Sequence, residues 1–114
     1  MLTNFEIIEE EKNETVILRV NGELDALVAP QLKDRLIKLI ELDKKNFIID
    51  FEGLVHINSL AMGILRGRLK EIREKNGDIK LINLNNHIAT IFEMVGLDEI
   101  FEIYDSEGEA LSKF

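Results

Sequence analysis

The segment Asp50-Phe51-Glu52-Gly53-Leu54-Val55-His56-Ile57-Asn58-Ser59-Leu60-Ala61-Met62-Gly63 passes from the end of a buried strand, through a turn at Gly53, into a helix beginning at Asn58-Ser59. The strand is read from Phe47-Ile48-Ile49, an unbroken apolar run too short for a helix. The helix start is read from Asn58 and Ser59, two cap-forming residues ahead of an apolar-periodic segment. A serine there has its hydroxyl beside the unpaired N–H groups of the first turn. The same place suits a phosphate, because free donors and the helix dipole both favour negative charge. Local chemistry leaves two readings open, a plain capped helix and a phosphorylation switch.

Upstream of this segment, residues 5–11 alternate in part (Phe5, Ile7, Ile8) and read as an edge strand. Asn13-Glu14 is a turn, and Val16-Ile17-Leu18-Arg19-Val20 a stronger strand, so the chain opens with a hairpin. Asn21-Gly22 is expected to end that strand and Glu23-Leu24-Asp25 to form a loop. Pro30, the sole proline, suits a first helical turn, and Leu32, Leu36, Leu39 and Ile40 recur at helical spacing to about Leu42. Phe47 to Phe51 is the third strand.

Downstream, the second helix runs from Ser59 to about Lys75 and Ile79–Ile82 is a fourth strand. Asn85-Asn86 caps a third helix with Ile88, Ile91, Phe92 and Val95 on one face, and Gly96 fits its left-handed stop. Residues 100–103 suit a short last strand, and Ser106 and Glu109 have capping-box spacing before a final short helix. Strands alternating with helices imply parallel βαβ units after the antiparallel first strand. Right-handed crossovers then put consecutive helices on one face if strands are added in one direction. The expected fold is α/β, a small mixed sheet with about four helices, in one domain over residues 1–114.

Composition narrows the function. No apolar run approaches the ~20 residues that span a bilayer. The first residues carry Glu6, Glu9, Glu10 and Glu11 and no basic apolar leader, so no signal peptide is expected. The chain has no cysteine, hence no disulfide or thiolate metal site, and a cytoplasmic location is expected. A net charge of −8 opposes nucleic-acid binding and favours a basic protein partner or simple solubility. His56 and His87, the two histidines, have no second ligand at helical or loop spacing, so no metal or cofactor is expected. Asp50, at a strand's C-terminal end where α/β ligand sites gather, more simply hydrogen-bonds the following turn. No nucleophile elbow or phosphate-cradling glycine loop is present, and an enzyme is not expected.

Gly22-Glu23-Leu24-Asp25, then Asp50-Phe51-Glu52-Gly53-Leu54, then Ile57-Asn58-Ser59 with Gly63 resemble the STAS domain, and more narrowly the bacterial anti-sigma factor antagonists. The likeness continues through Gly67-Arg68-Leu69-Lys70-Glu71-Ile72 to Ile91-Phe92-Glu93-Met94-Val95-Gly96-Leu97, across almost the whole chain. It implies binding to an anti-sigma factor that is also an ATP-dependent serine kinase, release of the sigma factor, and abolition of binding by phosphorylation of one serine. A serine phosphatase is a further implied partner. The family's pattern at that serine, Asp-Ser-Ser-Gly-Leu-Gly, falls on Asn58-Ser59-Leu60-Ala61-Met62-Gly63, so the phospho-acceptor position is Ser59. Asn58, Leu60 and Ala61 replace an aspartate, a serine and a glycine of that pattern.

On the second helix, Ala61, Leu65, Leu69 and Ile72 form the face expected to pack on the sheet. Leu60 and Ile64 are expected to point away from it, beside Gly63 and Gly67, as an apolar docking surface or as ordinary scattered surface residues. The candidate partner-binding set is Asn58, Leu60, Met62, Gly63, Ile64 and Gly67, with Glu23 and Asp25 as an acidic rim or a solvated turn. Other readings are a ligand-sensing STAS module for a small apolar molecule or nucleotide, and a scaffold subunit without a phospho-switch.

Overall fold

The alternation of apolar side chains along the strands assigns them to two faces of one sheet. Val16, Leu18, Val20, Phe47, Ile49, Ile79 and Leu81 belong to a large core, whereas the intervening Ile17, Ile48 and Ile82 belong to a small one. The computed structural model describes residues 4–114. Its elements in order are β1 (Phe5–Lys12), β2 (Thr15–Leu24), α1 (Ala29–Glu41), β3 (Asn46–Asp50), β4 (Leu54–Ile57) and α2 (Ser59–Glu74). They continue as β5 (Asp78–Ile82), α3 (Asn86–Met94), a 3-10 turn (Leu97–Glu99), β6 (Glu102–Tyr104) and α4 (Glu107–Leu111).

The strands form one sheet in the order β1-β2-β3-β5-β6. β1 is antiparallel to β2, and the β2–β3, β3–β5 and β5–β6 pairs are parallel, as the strand–helix alternation requires. α1, α2 and α3 cover the large core through Leu32, Leu36, Ala61, Leu65, Ile88 and Phe92. Phe51 and Phe92 meet edge to face with ring centroids 6.0 Å apart. α4 alone covers the other face, where Ala110 meets Ile17, Ile48 and Ile82. Lys80 is buried on that face, bonding Asp78 at 2.8 Å and Glu102 at 2.9 Å. Burial opposes its charge, but the two carboxylates outweigh burial and its pKa is raised.

The hairpin turn is where the sequence puts it. Asn13 and Glu14 have φ of 50° and 65°, the paired positive values of a type I′ turn. β1 is an edge strand whose consecutive Glu9, Glu10 and Glu11 reach Arg35 of α1, Arg19 of β2 and Lys44 in the loop before β3. Three expectations are corrected. Asn21-Gly22 does not end the second strand, which runs to Leu24, so Glu23 and Leu24 are strand rather than loop. Here β2 exchanges its parallel partner β3 for β4, with a register shift between Gly22 and Glu23. Gly22 permits the shift, since at φ 101° an added Cβ would lie 1.8 Å from the Asn4 carbonyl oxygen. β4 itself is the second correction, because the chain pairs Leu54–Ile57 with β2 before α2 begins. The last strand also starts later than expected, at Glu102, because the 3-10 turn occupies Leu97–Glu99.

Candidate functional site: the outer face of the second helix

The two cap-forming residues divide their roles. Asn58 is extended (φ −102°, ψ 173°) and its Oδ1 accepts the Ala61 N–H at 2.9 Å, so Asn58 is the N-cap of α2. Its own N–H donates to the Leu24 carbonyl at 3.1 Å, tying the helix start to the end of β2. Ser59 is therefore the first helical residue, exposed, with its hydroxyl outside the cap.

The expected sheet-facing residues Ala61, Leu65, Leu69 and Ile72 are all buried. Leu60 is 48% exposed, as expected of a residue pointing away. Ile64 departs from expectation. It is half-buried against the large core, as is Met62, and borders one groove together with Lys33 of α1, which packs beside α2. Gly63 and Gly67 are exposed. Ser59 thus stands between two shallow depressions. One, of about 300 Å³, has Lys33, Leu60, Ile64 and Gly67 at its border. The other, of about 190 Å³, has Met62, Arg66, Val95 and Leu97. Neither Lys33 nor Arg66 takes part in an ion pair among the described residues.

Val95 and Leu97 escaped the sequence reading. The sequence places Val95 on one face with Ile88, Ile91 and Phe92, yet it is 54% exposed, because the helix ends at Met94 and the chain turns at Gly96 with φ 79°. Met94 is 79% exposed beside it in sequence. Two unburied apolar residues in front of a helix-stopping glycine are the available signal, and only the tertiary fold brings Val95 to Ser59.

Of the acidic rim, Glu23 is exposed at the end of β2, paired in register with His56 of β4. Asp25 is half-buried, and its Oδ1 accepts the Leu27 N–H at 3.0 Å and the Val28 N–H at 3.2 Å. Its carboxylate orders the turn entering α1, an Asx-type role, and this turn holds Leu27 74% exposed.

Asp50 lies away from this surface, on the α4 side. Its Oδ1 accepts the Glu52 N–H at 2.9 Å, as the turn chemistry predicts, and the Asn83 Nδ2 at 3.0 Å. Its Oδ2 accepts Arg19 Nη1 at 2.9 Å, and Arg19 also reaches Glu10 and Glu107. The Lys12 hydrogen bond holds the Glu107 carboxyl below its ordinary value; burial opposes it, and Arg19 adds to the lowering. Such a saturated network holds structure together and leaves no free base. His56 and His87 are exposed, and no group of side chains suited to a metal occurs among the described residues. No described helix is long and apolar enough to cross a membrane.

Comparison with known proteins gives a consistent picture. The family model described as "STAS domain" matches residues 6–110. A Listeria monocytogenes protein named anti-sigma-B factor antagonist is 29% identical over 102 residues, covering 90% of each chain. The solved structure of the anti-sigma factor antagonist SpoIIAA in its unphosphorylated form has a TM-score of 0.81 at 27% identity, covering 96% of this chain and 94% of that one. The Bacillus cell-fate determinant SpoIIAA in the phosphorylated form has a TM-score of 0.74 at 27% identity, covering 96% and 97%.

Proposed function

The chain belongs to the STAS domain family, and from that premise we propose that it is an anti-sigma factor antagonist, a single cytoplasmic domain over residues 1–114 and not an enzyme. It binds an anti-sigma factor that is also a serine kinase, so freeing the sigma factor, and phosphorylation of Ser59 ends the binding. The docking surface is the start of α2, with Asn58, Leu60, Met62, Gly63, Ile64 and Gly67. Glu23 and Asp25 form its acidic rim, and Val95 adds to it.

One observation carries the reading. Asn58 caps α2, so the exposed Ser59 hydroxyl is spared for chemistry in the first helical turn. The Ala61 N–H is taken by the cap, whereas those of Ser59 and Leu60 have no partner among the described residues and are first-turn donors that favour an added anion. Phosphate adds about −1.5 to −2 charge at pH 7. The fold accommodates it at the helix start, and the cost falls on an apposed partner, which must desolvate the phosphate or place carboxylates against it. The switch is interface blocking without unfolding. The structure of SpoIIAA in phosphorylated form supports this reading for a chain of similar fold.

The test mixes the purified protein with magnesium, ATP and each anti-sigma factor of the same organism, followed by peptide mapping and gel filtration. One phosphate on Ser59 with loss of the complex is expected. Stable binding without phosphate transfers control elsewhere, and neither binding nor phosphate refutes the assignment. A scaffold role without a phospho-switch is the second reading, favoured by the 48% exposed Leu60 where the antagonist pattern has a serine.

A further inference from the structure

α2 has two glycines in its interior, Gly63 and Gly67, one helical turn apart. Interior glycine weakens a helix, so its presence calls for a steric reason. None exists among the described residues, because a Cβ built on either glycine would meet no heavy atom of theirs within 4 Å. The two glycines leave the outer face of α2 low and open.

The same face has an unusual charge. The chain carries a net −8, yet α2 contributes Arg66, Arg68, Lys70 and Arg73 against Glu71 and Glu74. Arg68 pairs with Glu71 and Arg73 with Asp78, whereas Arg66 and Lys70 are in no ion pair among the described residues. These two unspent cations, also one turn apart, border a groove of about 620 Å³ with Gly63 and Gly67; Arg73 and Glu74 line it as well, so its charged lining is three cations to one carboxylate. Leu69 and Ile100 give that groove an apolar lining. It shares Gly63 and Gly67 with the Ser59 depression beside α1, so the surface is continuous along the helix.

We propose that this groove receives an acidic amphipathic helix of the protein partner. The glycines admit its backbone, Leu69 and Ile100 meet its apolar side, and carboxylates one turn apart on it face Arg66 and Lys70. The proposal rests on the reading of the chain as an anti-sigma factor antagonist and adds an orientation to it. The partner is held at two charged ends of opposite sign, a basic patch over Glu23 and the acidic helix over the far half of α2. Electrostatic complementarity of this kind fixes register and rejects wrong partners.

The experiment measures binding of purified anti-sigma factors of the same organism by calorimetry at low and high salt. It compares the wild-type chain, Arg66→Glu/Lys70→Glu, and Gly67→Ala. The double charge reversal is expected to weaken binding at least about tenfold and to flatten the salt dependence, with the melting temperature little changed. Gly67→Ala is expected to raise the melting temperature and yet weaken binding, a combination that damage to the fold does not produce. If both variants bind like wild type, the groove is not the docking site, whatever else holds the partner. If the wild-type chain binds no anti-sigma factor, the functional reading fails and this inference with it. If the double variant keeps the partner but loses a nucleotide that wild type carries, the groove is a small-anion site and the proposal is overturned.

Discussion

Replacing Asp50 with alanine tests whether the carboxylate at the end of β3 is structural. The side chain is 5% exposed and accepts hydrogen bonds from Arg19, from the Glu52 backbone and from Asn83. A hydrogen bond to a charged group is worth about 1.5–3 kcal/mol, and this one is lost outright. Glu52 is exposed, so its N–H finds water and its loss is small. Arg19 keeps Glu10 and Glu107 and is about a quarter exposed, so its charge is not stranded. The expected cost is therefore about 2–3 kcal/mol, below the 3–5 kcal/mol of a fully buried broken pair. Asp50→Asn retains an acceptor for Glu52 and Asn83 and should cost about half as much. Urea unfolding at pH 7, followed by circular dichroism, measures both, with an unchanged m-value as the sign that only stability moved. A double-mutant cycle with Arg19→Met isolates the ion pair. A loss under about 0.5 kcal/mol for Asp50→Ala would falsify the structural assignment and reopen the strand end as a ligand site.

Ser59→Ala should hold the anti-sigma factor in the presence of ATP, and Ser59→Asp should weaken the complex; gel filtration reads both, and ATP-driven release of the alanine variant at the wild-type rate moves the switch elsewhere. Asn58→Ala should cost about 1 kcal/mol as a lost N-cap, while Ser59→Ala changes stability by under about 0.5 kcal/mol; the reverse order in urea melts would return the cap to Ser59. Glu107 is lowered from 4.5 chiefly by Lys12, and Glu102 chiefly by Tyr104 and Lys80. A depressed carboxylate contributes stability above its unfolded pKa and loses it as pH falls through the folded value, so urea midpoints should drop below about pH 4.5. Glu107→Gln should shallow that drop, and an unchanged slope argues against the ion pair.

The helix interiors were legible because their pattern is local. Ala61, Leu65, Leu69 and Ile72 repeat at the helical period, and all four are buried. β4 was not legible. Its Leu54 and Ile57 are buried and Val55 and His56 exposed, which is no strict alternation, and its partner residues on β2 lie far back in the chain. Asn21-Gly22 has the chemistry of a strand end, but the demand for a second partner overrode it, and Gly22 became a bulge. At the candidate site, the helix start was legible because a cap has a sequence signature, and Asn58 is that cap. Lys33, Val95 and Leu97 come from other elements, and no spacing within α2 announces them. The half-buried Ile64 shows the same limit, since helical period places a residue on a face but not under a neighbouring helix.

The edge strand β1 has a consequence for how the molecule opens. Its partly buried Phe5 and Ile7 contribute to the large core, but its second half carries Glu9, Glu10 and Glu11, each held by a cation from elsewhere in the chain. Exposed ion pairs contribute little apiece and are screened by salt, so the antiparallel ladder to β2 carries most of the attachment there. β1 is accordingly the strand whose amide protons should exchange early, through local opening at a free energy well below that of global unfolding. Behind it lies the outer edge of β2, where Thr15, Val16, Ile17 and Leu18 are all buried and β-forming. Each opening bares an uncharged strand edge of the kind that seeds aggregation, so the carboxylates of β1 guard solubility as well as fold.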